Sequence, residues 1–182
     1  MDLREQTIES TEVFSGRLVK LRVDKVRLPD GRETTREVVV HRGAVAVVPM
    51  TESGKVVMVR QYRQAAGEVL LEIPAGTLEP GESPAECAHR EVQEEIGYRS
   101  DDLILMFRSY LAPGYSTEML HTFLARGLTK VTAERDPDEF IEVVEAPIDE
   151  ALRFIETGEI KDAKTICGIL MALRHGAGEL EC

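Results

Sequence analysis

The stretch "ESPAECAHREVQEEIGY", residues 82–98, constrains the fold more than any other part of the chain. Ser83 is a good helix N-cap, Pro84 suits the first helical position, and Glu86 completes an S-x-x-E capping box. Gly97 stands where a left-handed C-cap is expected. A helix over 83–96 is therefore fenced at both ends. At about 100° per residue, Ala85, Ala88, Val92 and Ile96 share an arc of about 80°, a stripe expected to be buried. Glu91, Glu94 and Glu95 fall in the neighbouring arc at i, i+3 and i+4 spacing, so their carboxylates converge. Like charges at this spacing weaken a helix, and these lie at the C-terminal pole, the wrong end for anions.

Two readings follow. The carboxylates form a solvated acidic face, or a cation sits among them. A hard divalent ion such as Mg²⁺ or Mn²⁺ takes oxygen ligands, retains waters and favours sites that also hold substrate phosphates.

The rest of the chain narrows the partners. Its 182 residues suffice for a domain with a sizeable core, and its formal charge of −11 repels nucleic acid and anionic membranes. No apolar run approaches the roughly 20 residues of a membrane span. The first ten residues lack the apolar centre of a secretory signal. Cys87, Cys167 and Cys182 are widely spaced with no C-x-x-C pair, which fits a reduced, cytoplasmic protein without a thiolate metal site. His41, His89, His121 and His175 show no paired ligand spacing.

Strand patterning dominates the first half, at 17–28, 34–50 with a break near Gly43, and 56–64. "LPDGRE" and "TESGK" supply turns. Leu70, Leu71 and Ile73 predict a further buried strand. After the helix come strands near 103–112, 118–128 and 141–148, then helices near 149–157 and 162–175. This order predicts an α+β or layered α/β/α domain.

From Gly76 to Tyr98 the spacing is Gly76, five residues, Glu82, seven residues, Arg90-Glu91-Val92-Gln93-Glu94-Glu95-Ile96-Gly97, then Tyr98. This resembles the Nudix box of the Nudix hydrolases, G-x5-E-x7-R-E-U-x-E-E-x-G-U, with U a bulky aliphatic residue. Only Tyr98, at the last aliphatic place, departs from it. The resemblance implies an α/β/α sandwich with a mixed sheet and metal-dependent cleavage of a pyrophosphate in a nucleoside diphosphate derivative. It makes Glu91, Glu95 and Glu94 metal ligands, with the Ala75 carbonyl joining them. Glu82 would orient the site, Arg90 would hold the carboxylates, and Glu79 would lie near substrate on the entering loop.

Pro113, sixteen residues after Gly97 in "SYLAPGYSTE", is similar to the signature of the ADP-ribose pyrophosphatase branch. That likeness implies Arg63 on the substrate, Glu118 at the terminal ribose or the metals, and Arg36 and Glu37 near adenine. It also implies an additional N-terminal antiparallel sheet, residues 1–42, that forms a homodimer, followed by a hydrolase domain over 43–182. The catalytic base is expected on the acidic loop "AERDPDEF", which offers Glu134, Asp136, Asp138 and Glu139, and Glu139 is the choice. The expected reaction is ADP-ribose to AMP and ribose 5-phosphate. The alternatives are another nucleotide sugar such as GDP-mannose, or a non-catalytic ligand sensor on the same scaffold.

Overall fold

The computed structural model describes residues 2–132 and 140–177. It contains strands β1 (Gln6–Ser15), β2 (Lys20–Arg27), β3 (Glu33–Val40), β4 (Ala44–Pro49), β5 (Lys55–Arg63), β6 (Glu68–Glu72) and β7 (Ala75–Thr77). Helix α1 (Pro84–Ile96) follows, then β8 (Tyr98–Tyr110), β9 (Met119–Lys130) and β10 (Ile141–Pro147), and finally α2 (Ile148–Glu156) and α3 (Ala163–Ala177). Two compact units result: Met1–Gly43 with Ser109–Leu120, and Ala44–Arg108 with His121–Cys182.

The first unit is an antiparallel sheet in the order β1-β2-β3. Its β2–β3 register runs unbroken from Lys20 opposite Val40 to Arg27 opposite Glu33. Gly31, in the Pro-Asp-Gly turn between these strands, donates its N–H to the Leu28 carbonyl (2.9 Å). The 109–120 segment joins this unit by backbone bonds from Val39 N to Tyr115 O (2.7 Å) and from Thr117 N to Val39 O (3.0 Å). Every residue of β1 is exposed.

The second unit holds two sheets, in the orders β10-β5-β6 and β7-β4-β9-β8. All of β4 is buried, as a strand covered on both faces must be. Val45 and Val47 pack in one cluster with Cys87, Ala88 and Val92 of α1. The alternate residue Val48 meets α3 at Gly168. Successive strand residues point to opposite faces, so α1 and α3 cover the two sides of the sheet. This is the expected α/β/α sandwich.

Helix α1 has the expected bounds. Ser83 Oγ accepts from Glu86 N (3.3 Å), and the Glu86 carboxylate accepts from Ser83 N (2.9 Å). Gly97 closes the helix at φ 69°, a left-handed conformation that glycine adopts without a Cβ penalty. The buried face is wider than the sequence predicted. It comprises Cys87, Ala88, Glu91, Val92, Glu95 and Ile96, whereas Ala85 is exposed. Ala85 lies in the first turn, and the covered arc of about 180° is centred further round the helix. Two carboxylates therefore lie inside the buried face instead of beside it.

Tyr98 is buried at the head of β8, and its hydroxyl donates to Glu145 (2.9 Å). β8 begins five residues before the predicted strand start, directly after the Gly97 cap.

Candidate active site

The capped geometry of α1 places Arg90 one to four residues from Glu91 and Glu94 and beneath the loop that carries Glu82. The Arg90 guanidinium binds Glu82 in bidentate fashion, Nε to Oε1 at 2.8 Å and Nη2 to Oε2 at 3.1 Å. Its Nη1 donates to Glu91 Oε1 (2.8 Å) and to Glu94 Oε2 (2.9 Å). Nη2 also reaches the Thr77 carbonyl (3.4 Å) and Cys87 Sγ (3.3 Å). A planar, permanently charged fork suits this multiple recognition of carboxylates.

The charge state of Glu82 follows. The Arg90 hydrogen bonds hold its carboxyl down at about 2, against the opposing effect of burial, and the Glu79 N–H (2.9 Å to Oε2) assists. Arg90 is raised above its ordinary value, chiefly by Glu82. Cys87 behaves oppositely: burial, with Glu82 and Glu91 nearby, pushes its thiol up to about 12.

Glu91 and Glu95 are 8 % and 3 % exposed, an unusual depth for ionisable residues. Short strand β7 faces them. Ala75 N donates to Glu95 Oε2 (3.2 Å), and a Cβ built on Gly76 would fall on the Glu91 carboxylate. Only glycine lets the backbone come so near that side chain. β7 owes its position to β4, with Val45 opposite Gly76 and Ala46 opposite Ala75.

These residues fit a hard divalent cation. The donors are all oxygens, Gly76 beside Glu91 carries no Cβ, and repelling carboxylates are held close together. Among the described residues no three Asp, Glu, His or Cys side chains already surround a common point suited to an ion. The guanidinium of Arg90 lies among three of the carboxylates instead. Arg90 takes both oxygens of Glu82 but meets Glu91 through Oε1 and Glu94 through Oε2, and a carboxylate has a second oxygen with acceptor capacity of its own.

A family model, NUDIX domain, matches residues 40–167, and a second, nucleoside diphosphate sugar hydrolase N-terminal domain, matches residues 5–39. The chain belongs to the Nudix family. This Nudix chain is 44% identical over 167 residues to the methanol dehydrogenase activator of Bacillus methanolicus, covering 91% of this chain and 90% of that protein. It is 43% identical over 169 residues to the ADP-ribose pyrophosphatase of Bacillus subtilis (strain 168), covering 92% and 91%. The crystal structure of an ADP compounds hydrolase superposes with a TM-score of 0.88 over 98% of both chains. At 22% identity that likeness concerns the Nudix fold alone.

The other residues singled out in the Nudix sequence lie in distinct settings. Glu79 is exposed on the loop before α1. Arg63, at the end of β5, forms a bidentate pair with Glu72, at 2.9 and 2.8 Å. That bond is the first cause of its raised pKa, and the charges of Glu95 and Asp162 add to it. In the first unit, Arg36 binds Glu5 (3.0 and 2.6 Å) and Glu37 is exposed on β3. Glu118 lies 3.9 Å from His41 Nδ1, which accepts from Gly43 N (3.1 Å). Glu134, Asp136, Asp138 and Glu139 lie outside the described residues.

Sequence reasoning missed a buried network around Glu72, which is 1 % exposed. Burial would raise its pKa, but the bonds and charges of Arg63 and Lys164 prevail and lower it. Lys164 Nζ binds Glu72 (2.6 Å) and Asp162 (2.9 Å). Asp162 in turn accepts from the N–H and hydroxyl of Thr165, at 3.0 and 2.5 Å. The one available signal was an acid inside the apolar run "VLLEIP".

Proposed function

We propose that this Nudix hydrolase cleaves the pyrophosphate of ADP-ribose, giving AMP and ribose 5-phosphate. The observation that carries the reading is the pair of buried carboxylates, Glu91 and Glu95, set against the Ala75–Gly76 backbone with Arg90 beside them. The kinship with an ADP-ribose pyrophosphatase over nearly the whole chain supports the choice of substrate.

Glu91, Glu94, Glu95 and the Ala75 carbonyl would hold divalent metal, Mg²⁺ or Mn²⁺. A bound metal would supply neutralisation of the phosphates, activation of a water and stabilisation of the leaving oxygen. Arg90 keeps the glutamates at fixed separations and Glu82 keeps Arg90 charged and oriented, so little reorganisation is needed when negative charge develops. Arg63, oriented by Glu72, presents a guanidinium suited to phosphate or ribose oxygens, and Glu79 lies on the entering loop. Glu139 takes the proton of the attacking water.

Arg36 and Glu37 contact adenine, and Glu118 contacts the terminal ribose or the metals. The sheet of residues 1–42 forms a homodimer, for which the exposure of Ile8, Val13 and Phe14 is the support, and residues 43–182 form the hydrolase domain. No described helix is long and apolar enough to cross a membrane, and the reduced cysteine pattern favours the cytoplasm.

The deciding experiment is a product assay over ADP-ribose, GDP-mannose and other nucleoside diphosphate derivatives, with and without Mg²⁺. AMP and ribose 5-phosphate formed only with metal is the expected result. Preference for a guanine sugar would sink the substrate assignment, and no hydrolysis of any member would favour a sensor.

A further inference from the structure

The hydroxyl of Thr165 is fully buried and has both of its roles assigned. Its proton goes to Asp162 Oδ2 (2.5 Å), and its oxygen accepts the N–H of Ile73 (3.0 Å). Asp162 is fixed by the Thr165 N–H (3.0 Å), which it caps at the start of α3, and by Lys164 Nζ (2.9 Å). With its proton committed to Asp162, the oxygen of Thr165 is oriented to accept from Ile73.

Ile73 opens a short segment gripped at three successive residues by three different elements. α3 holds Ile73 through Thr165. β4 holds Pro74, whose carbonyl accepts from Val47 N (2.9 Å). α1 holds Ala75, whose N–H reaches Glu95 (3.2 Å). Gly76 then passes under Glu91. An independent contact fixes the same junction: a Cβ on Gly168, three residues beyond Thr165, would lie 2.9 Å from Ile73 Cδ1 and 3.0 Å from Val48 Cγ2. Glycine at position 168 thus lets α3 dock closer to this segment than a residue with a Cβ would.

We propose that Thr165 is a positioning residue for the metal site: through the Ile73 amide it fixes where the Ala75–Gly76 backbone meets Glu95 and Glu91. The proposal rests on the metal reading of those glutamates. Partners bonded directly to metal ligands set ligand geometry, and their loss typically weakens metal binding by about 10- to 100-fold; Thr165 acts two residues before Ala75, so the lower end of that range is expected.

The test is Mn²⁺ affinity of the full-length protein, read from the free-ion electron paramagnetic resonance signal without substrate. Thr165→Val keeps the shape and removes the acceptor, and about 10-fold weaker binding is expected. Thr165→Ser restores the hydroxyl and is expected to recover wild-type affinity, which a packing role for the threonine methyl would not produce. Glu95→Gln tests the underlying reading. Wild-type affinity in Thr165→Val, with weakened binding in Glu95→Gln, overturns the positioning role and leaves the metal site standing. Equal weakening in the Ser and Val variants also overturns it. Unchanged affinity in Glu95→Gln removes the metal reading and this inference with it. Should Thr165→Val not fold, Thr165→Ala, which also removes the acceptor, is titrated instead, with the same weakening expected and wild-type affinity overturning the role.

Discussion

Arg90 decides the character of this site at the residue scale. One guanidinium satisfies oxygens of Glu82, Glu91 and Glu94, so carboxylates that would repel are held in one small volume. Under the proposed function Glu95 acts on substrate through metal, and a neutral amide in its place removes that charge. Glu95→Gln is expected to lower kcat on the order of 100-fold or more while circular dichroism remains that of the wild type. Near wild-type turnover would take Glu95 out of the ligand set. Glu82 gives a pH dependence. Its folded-state pKa, about 2, lies below the ordinary 4.5 because of Arg90. A depressed carboxyl stabilises the fold fully above its unfolded value, and that contribution disappears as pH falls from about 4.5 towards about 2. Urea unfolding across this window should show a shallower loss of stability in Glu82→Gln than in wild type. Parallel curves would mean that the pair is neutral for folding.

At the scale of elements, α1 and β7 form one functional piece. The helix needs its capping box, because the first N–H groups of a helix lack partners within it. Ser83→Ala should destabilise the protein by about 1 kcal/mol, seen as a lower thermal midpoint, with no change in substrate preference. A midpoint equal to wild type would show that Pro84 and Glu86 suffice. The helix bounds were legible in the sequence since capping is local chemistry. β7 was not: three residues carry no period, and its place is dictated by β4, some thirty residues earlier. The Glu72–Lys164 bond links positions 92 residues apart, beyond the reach of any local pattern. The acidic arc lies deeper than its spacing implied, with Glu91 and Glu95 buried, because periodicity assigns a face and cannot show how much of it neighbouring strands cover. β1 also escaped the strand reading. With all ten side chains exposed, it offers no buried face to betray it.

For the whole molecule, that exposure bears on assembly. β1 is an edge strand with Ile8 42%, Val13 53% and Phe14 57% exposed. Unpaired edges with apolar side chains are places where chains associate. Sedimentation equilibrium should give twice the 20.3 kDa chain mass, and Phe14→Asp should shift the population towards monomer. A monomeric wild type at micromolar concentration would set the homodimer aside.

The two described cysteines differ in a way that makes the chain convenient to label. Cys87 is walled in by α1 and β7, and its thiol at about 12 is almost never ionised near neutrality. Since thiolate is the reactive form, an electrophilic dye passes it by. Cys167 is exposed on α3, two residues from Thr165. With Cys182 replaced by serine, Cys167 becomes a single chemical address, and a fluorophore placed there would sit on the helix that holds Ile73 through Thr165.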